Sequence, residues 1–194
     1  NSCTSSGEGV WYRSPERTPI RPEDVLTHLA RITRYGGAHP WTVLQHLALC
    51  VDLARQNGTP HEVAPYVAAH DMHEAYIGDL PTYIKPILGD AWANLEDSWE
   101  AHVHRSVGLL WPLPEDVRAE VKRIDRLTLA VEMARLRHPM AAIVARDFGI
   151  VVTEEMRATF WAGSGVTPDA CWRGLCRALP ALDKMIAAAK HPAA

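Results

Sequence analysis

The sequence has no excess of positive charge. Its 20 Lys and Arg are set against 23 Asp and Glu, a formal net charge of -3 with His neutral. A protein that grips duplex nucleic acid presents a basic face to the phosphates, and none is visible, so duplex DNA or RNA is not an expected partner. A small anion needs only a local pair of cations and stays compatible with this balance. Cysteine is scarce: Cys3, Cys50, Cys171 and Cys176 form neither a CxxC nor a zinc-knuckle spacing. They are expected to be reduced thiols, as in a cytoplasmic protein (host cytoplasm for a phage-encoded one). No run approaches the ~20 apolar residues that span a bilayer, so no membrane association is expected. The first residues, NSCTSSGEG, lack the charged-then-apolar layout of a signal peptide, and residues 1–20 are expected to be a flexible N-terminal segment. Asn-Gly and Asp-Gly hairpin signals, sustained period-two alternation and internal repeats are also missing, which argues against a β fold.

What is present is helical punctuation. Of the 194 residues, 47% are apolar and 22% charged, the usage of one globular domain with a sizeable core. Pro22 opens a first helix that carries Val25, Leu26, Leu29, Ala30 and Ile32 and stops at Gly36-Gly37. A second runs from Thr42, an N-cap, to Asn57, with Val43, Leu47, Cys50 and Ala54 on one face. A third begins near His61 and reaches Gly78. After a turn-rich GDLPTYIKP, helices are expected over about 90–110, 115–137 and 140–148, and over 168–190 with a break near Pro180. Ile150-Val151-Val152 looks strand-like but is too short to matter. The expectation is an all-α, compact helical bundle in which residues 21–194 form one domain and the C-terminal helices from about 140 pack on the core.

Polar residues interrupt this pattern in three places. His70 and Asp71 are adjacent, and Glu74 lies one helical turn after His70 on the same face. His46 sits among Leu44, Leu47 and Leu49, and Asp125 falls between Ile124 and Leu127. Singly, each has an ordinary reading: a solvated HDMHE run, a satisfied core histidine, a carboxylate facing solvent or Arg126. Together His46, His70, Asp71 and Asp125 offer two nitrogens and two oxygens from three helices. That donor set suits a divalent ion such as Co, Mn, Zn, Ni or Fe better than Ca. His39 and His73 are rival ligands of lesser weight. His102 and His104, two residues apart, cannot share a helical face and are expected at the surface. A GxxxxGK[ST] loop is missing, and His73-Glu74 is followed by Ala75-Tyr76-Ile77 rather than completing HExxH, which argues against a P-loop NTPase and a zinc protease.

The order His46, His70-Asp71, Asp125 is an H…HD…D pattern, and the sequence resembles the HD-domain phosphohydrolases. RITRYGGAHPWTVLQH, HDMHEAYIGDLPTYIKP and IDRLTLAVE are similar, in that order, to three blocks of the bacterial 5'-deoxynucleotidases and of small phage enzymes that include dATP triphosphohydrolases. The resemblance runs from about Arg21 to Arg137. It implies an HD-type helical domain in which His46, His70, Asp71 and Asp125 hold the metal and Glu74 and Asp79 act on water or leaving group. Both carboxylates would also take further Mg or Mn ions bridging a polyphosphate. Arg34 and Lys85 would contact phosphate, and Tyr35 and Trp41 would stack on the base; Tyr35 stands where related proteins often have Trp or Phe. The implied activity is dNTP hydrolysis of the dATP type, releasing deoxynucleoside and triphosphate. The alternatives are a 5'-deoxynucleotidase acting on a dNMP and a catalytically silent nucleotide- or metal-binding module. Enzymes of this kind often form homo-oligomers.

Overall fold

The computed structural model describes residues 2–164 and 166–190. It is all-α: the helices are α1 (Pro22–Leu29), α2 (Val43–Gln56), α3 (Ala64–Ala69), α4 (Glu74–Ile77), α5 (Lys85–Leu88), α6 (Asp90–Ser106), α7 (Glu115–Arg135), α8 (Ala141–Asp147), α9 (Glu154–Ser164), α10 (Pro168–Ala178) and α11 (Ala181–Lys190). The described β structure is a two-residue hairpin, β1 (Ser2–Cys3) against β2 (Gly9–Val10), and a single bridge between Thr33 and Thr42. Among the described residues no helix is long and apolar enough to cross a membrane.

Helix α2 is the axis of the molecule because its sequence leaves it little polar surface. Val43, Leu44, His46, Leu47, Leu49, Cys50, Leu53 and Ala54 are all buried. A helix apolar around most of its circumference has to be surrounded; α3, α7, α9 and α10 all pack on it. Its start is fixed by a capping box. Thr42 Oγ1 accepts the Gln45 N–H at 3.3 Å, while Gln45 Oε1 accepts the Thr42 N–H at 3.0 Å. One core cluster, around Leu29, Leu47, Met72, Trp99 and Trp172, lies on one side of α2. A second, around Trp41, Leu53, Val67, Ile124 and Phe160, lies on the other. Residues beyond 140 contribute to both: Phe160 to the second, Trp172, Leu175 and Leu182 to the first.

Two segments depart from the sequence expectation. Helix α1 ends at Leu29 rather than at Gly36. Residues 32–34 instead lie antiparallel to 41–43, with Arg34 N donating to Trp41 O at 2.8 Å and Val43 N to Ile32 O at 3.0 Å. Ile32 and Thr33 are β-branched and suit an extended backbone, and the pairing closes a loop, 33–42, over the end of α2. The third helix is also broken. Between α3 and α4 the backbone bonds shorten to three-residue steps, Met72 N to Ala69 O, Glu74 N to Asp71 O and Ala75 N to Met72 O. A tightened turn of this kind inside a helical run often marks a hinge or a sequence under strain, and here it carries His70 and Asp71.

The N-terminal segment has its own anchor. Asp24 on α1, with no exposed surface, accepts hydrogen bonds from Ser5 Oγ at 2.6 Å, Ser6 N at 2.8 Å and Ser6 Oγ at 2.7 Å. Ser5 and Ser6 thereby tie the hairpin turn of the N-terminal segment to α1.

Candidate metal centre

Three elements bring the centre together: α2 supplies His46, the turn between α3 and α4 supplies His70 and Asp71, and α7 supplies Asp125. His46 Nε2 lies 3.5 Å from Asp71 Oδ2 and 3.3 Å from Asp125 Oδ1. His70 Nε2 lies 3.4 Å from Asp71 Oδ2 and 3.9 Å from Asp125 Oδ1. Donors bound about 2.1 Å from one ion sit about 3.0–3.4 Å apart, depending on geometry. The four His–Asp separations, 3.3–3.9 Å, run from that range to about half an ångström beyond it.

Both imidazoles face the centre through the same atom, for a reason visible on their far sides. His46 Nδ1 is 2.7 Å from Glu132 Oε1, and His70 Nδ1 is 2.8 Å from the carbonyl of Val67. Each acceptor fixes the proton on Nδ1 and leaves the Nε2 lone pair for a cation. His70 Nε2 is buried and has no hydrogen-bond partner in the protein, which a cation between the donors would satisfy. Cys50, one turn along α2, adds a third soft donor: its Sγ is 3.5 Å from His46 Nε2. His46, Cys50 and His70 have ligand atoms within 4.8 Å of one another and could hold a metal ion.

The electrostatics point the same way. Burial opposes a charge on His70, yet Asp71 and Asp125 raise its pKa to about 10. Burial also works against ionised Asp71, but His70, His46 and Arg34 hold it well below the usual carboxylate range. The two carboxylates thus demand a positive charge between them, carried by protons on the imidazoles or by a shared cation.

No family model matches the chain. It is 31% identical over 131 residues to the uncharacterized protein YfdR of Escherichia coli (strain K12), a match covering 66% of this chain and 68% of that protein. The chain belongs to the YfdR family. A second relative, an uncharacterized protein of Rhodobacter capsulatus, is 28% identical over 150 residues, covering 74% of this chain and 76% of its own length.

Around the centre of this YfdR-family chain the remaining predicted residues divide. Arg34, at the mouth of the 33–42 loop, points inward: its Nη1 is 3.7 Å from Asp71 Oδ2 and its Nε 3.4 Å from Glu132 Oε2. Glu74 is 4% exposed and its Oε2 has no hydrogen-bond partner. Burial, reinforced by Asp71 and Asp79, pushes its carboxyl well above the ordinary range. Burial raises Asp79 as well, with Arg34 opposing. Lys85 is bonded to Glu96 Oε1 at 2.5 Å, and both Asp71 and Glu74 add to the field that keeps it charged.

Four expectations need correction. Trp41 is not free to stack on a base: it is 3% exposed, its ring lies on Phe160 at 4.5 Å, and its Nε1–H donates to Glu132 Oε1 at 2.8 Å. Tyr35 turns its hydroxyl inward to Glu132 Oε2 at 2.7 Å, with His39 and His138 rings against its own. His104 is fully buried between Tyr66 and Trp111 rather than at the surface. His70 and Asp71 lie in a tightened turn, not on a regular helix.

The sequence reading missed Glu132, Cys50 and Glu96. The first two left a signal. Cys50 is one turn from His46 on the same face, and Glu132 is two turns from Asp125 within an otherwise apolar run. Glu96 had none, because only the fold brings α6 against α5.

Proposed function

We propose that the protein is a metal-dependent nucleotide phosphohydrolase of the HD-domain type that converts a deoxynucleoside triphosphate to deoxynucleoside and triphosphate. The reading is carried by the convergence of His46, His70, Asp71 and Asp125, from three separate segments, with each imidazole Nε2 between 3.3 and 3.9 Å from both carboxylates. These residues would hold a divalent transition ion such as Co, Mn, Zn, Ni or Fe, with Cys50 as a neighbouring soft donor. Such an ion supplies two things, a lowered pKa for water at the centre and neutralisation of charge developing on a phosphate oxygen.

The surrounding side chains have separable tasks. Arg34 and Lys85 face the anionic tail, Arg with a fork that matches phosphate oxygens and Lys as a point charge. Glu96 holds the Lys85 ammonium in place. Water adds its oxygen to the phosphorus attached to O5', and Asp79 takes the proton it releases. The P–O5' bond breaks, and Glu74, whose carboxyl burial pushes above the ordinary range, delivers a proton to the departing O5'. Two carboxylates beyond the four donors, with two cations, favour a polyphosphate over a monophosphate. Further Mg or Mn carried by the substrate would be met by Asp79 rather than by Glu74, which carries the proton for O5'.

The test is a panel of dNTPs and dNMPs incubated with the protein and Mn or Co, with products separated by chromatography. Deoxynucleoside plus tripolyphosphate from dATP supports the proposal. Free phosphate from dAMP, with dATP untouched, replaces it by a 5'-deoxynucleotidase acting through the same centre. Metal binding without turnover of any nucleotide replaces it by a silent binding module.

A further inference from the structure

Glu132 is a carboxylate with no exposed surface, placed two turns after Asp125 on α7. Isolated in an apolar core, such a charge would be costly; here three hydrogen bonds and an ion pair compensate it. Oε1 accepts His46 Nδ1–H at 2.7 Å and Trp41 Nε1–H at 2.8 Å. Oε2 accepts the Tyr35 hydroxyl at 2.7 Å and faces Arg34 Nε at 3.4 Å. One oxygen therefore serves a metal donor, and the other serves the loop that carries the phosphate contact.

That loop needs holding. Tyr35 has φ 57°, and Gly36 and Gly37 follow at 61° and 82°, three left-handed residues in succession. The glycines adopt this at no steric cost, but for a tyrosine the left-handed backbone is strained. From this backbone the Tyr35 hydroxyl reaches Glu132, and the Trp41 bond fixes the loop's other end to the same carboxylate. Arg34, between Glu132 and Asp71, is then set with its guanidinium over the donor cluster.

We propose that Glu132 is a positioning residue that holds His46 with Nε2 toward the metal centre and, through the second oxygen, seats Arg34 and Tyr35 over it. Metal affinity and phosphate contact thereby depend on one buried carboxylate. The inference rests on the metal-centre reading above. Its chemical core is acceptor character. A carboxylate can only accept, so it forces the His46 proton onto Nδ1. An amide in its place can present N–H to Nδ1, which moves the imidazole proton to Nε2 and blocks ligation by His46.

The experiment compares wild type, Glu132→Gln and Trp41→Phe by equilibrium dialysis against cobalt(II), and by proton NMR of the zinc-loaded proteins. The wild type should show a far-downfield, slowly exchanging His46 Nδ1–H. Glu132→Gln should lose that resonance and bind cobalt about 10–100-fold more weakly. Trp41→Phe removes a different donor from the same oxygen while keeping an aromatic on Phe160, and should bind cobalt within about threefold of wild type with the resonance retained. Equal cobalt affinity in wild type and Glu132→Gln overturns the inference and leaves the metal centre standing. A wild type that binds neither cobalt nor zinc overturns both. Should Glu132→Gln not fold, the wild-type resonance decides: its absence in the zinc-loaded protein overturns the inference, and its presence with a normal Trp41→Phe profile supports it.

Discussion

Metal binding should be measurable as stability, and the size of the effect follows from the geometry of the centre. Each imidazole Nε2 already lies 3.3–3.9 Å from both carboxylates, so little reorganisation is needed when an ion enters. An ion that binds only the folded chain stabilises it by RT ln(1 + [L]/Kd). At about 1 mM cobalt and a Kd of about 10 μM, a hundredfold ratio, that is about 2.7 kcal/mol. For a domain of this size each kcal/mol raises Tm by roughly 2–4 °C, so the shift should be about 5–11 °C. Asp125→Ala is the matched control. Its side chain is 39% exposed, so truncation opens no closed cavity, yet it removes one of the two carboxylates. The variant should fold with an unaltered far-UV spectrum and move by less than about 2 °C on adding cobalt. Differential scanning calorimetry with and without metal reads both. A wild-type shift below about 1 °C, or one matched by Asp125→Ala, refutes the argued convergence of donors.

Glu74→Gln should keep cobalt affinity close to wild type in dialysis and lower turnover by about 10²–10⁴-fold, the range for a lost general acid. Unchanged turnover would remove Glu74 from the chemistry. His104 should make the fold acid-sensitive. Burial lowers its pKa from 6.5 to about 4, so between those values the unfolded chain takes up a proton that the folded one refuses. Stability is therefore full above pH 6.5 and falls as pH drops toward 4, by about 3 kcal/mol in all. His104→Phe, which keeps a ring between Tyr66 and Trp111, should flatten that stretch of the pH–stability curve in urea titrations; an identical slope in both proteins would contradict it. Asp24→Ala leaves Ser5 and Ser6 without their acceptor and should cost about 1–3 kcal/mol. Limited trypsin digestion should then cut at Arg13 or Arg17 faster than in wild type, and equal rates would show that the N-terminal hairpin is held elsewhere.

Some of this architecture could be read without coordinates because it is written locally. The helix periodicity, the Thr42 cap and the apolar circumference of α2 are properties of a few neighbouring residues. The histidines and aspartates of the centre were also legible, since a polar residue inside an apolar stripe is costly unless something compensates for it. Chain-local information failed where two distant segments compete for one backbone. Residues 30–36 continue a helical pattern, yet the pairing of 32–34 with 41–43 ended α1 early and placed Arg34 over the centre. His102 and His104 were both expected outside, because spacing tells that they diverge on α6 but not which directions Tyr66 and Trp111 will cover.

The amino-acid order alone determined that the chain is helical, where most helices begin, and which donor types are available. Tertiary structure alone decided that Glu132 is the acceptor behind His46, that Trp41 is core rather than contact surface, and that Lys85 meets Glu96. The physical reason is one of range. Propensity, capping and amphipathic period act over a few residues, whereas a hydrogen bond between residues 86 or 91 positions apart exists only once packing has closed the intervening chain.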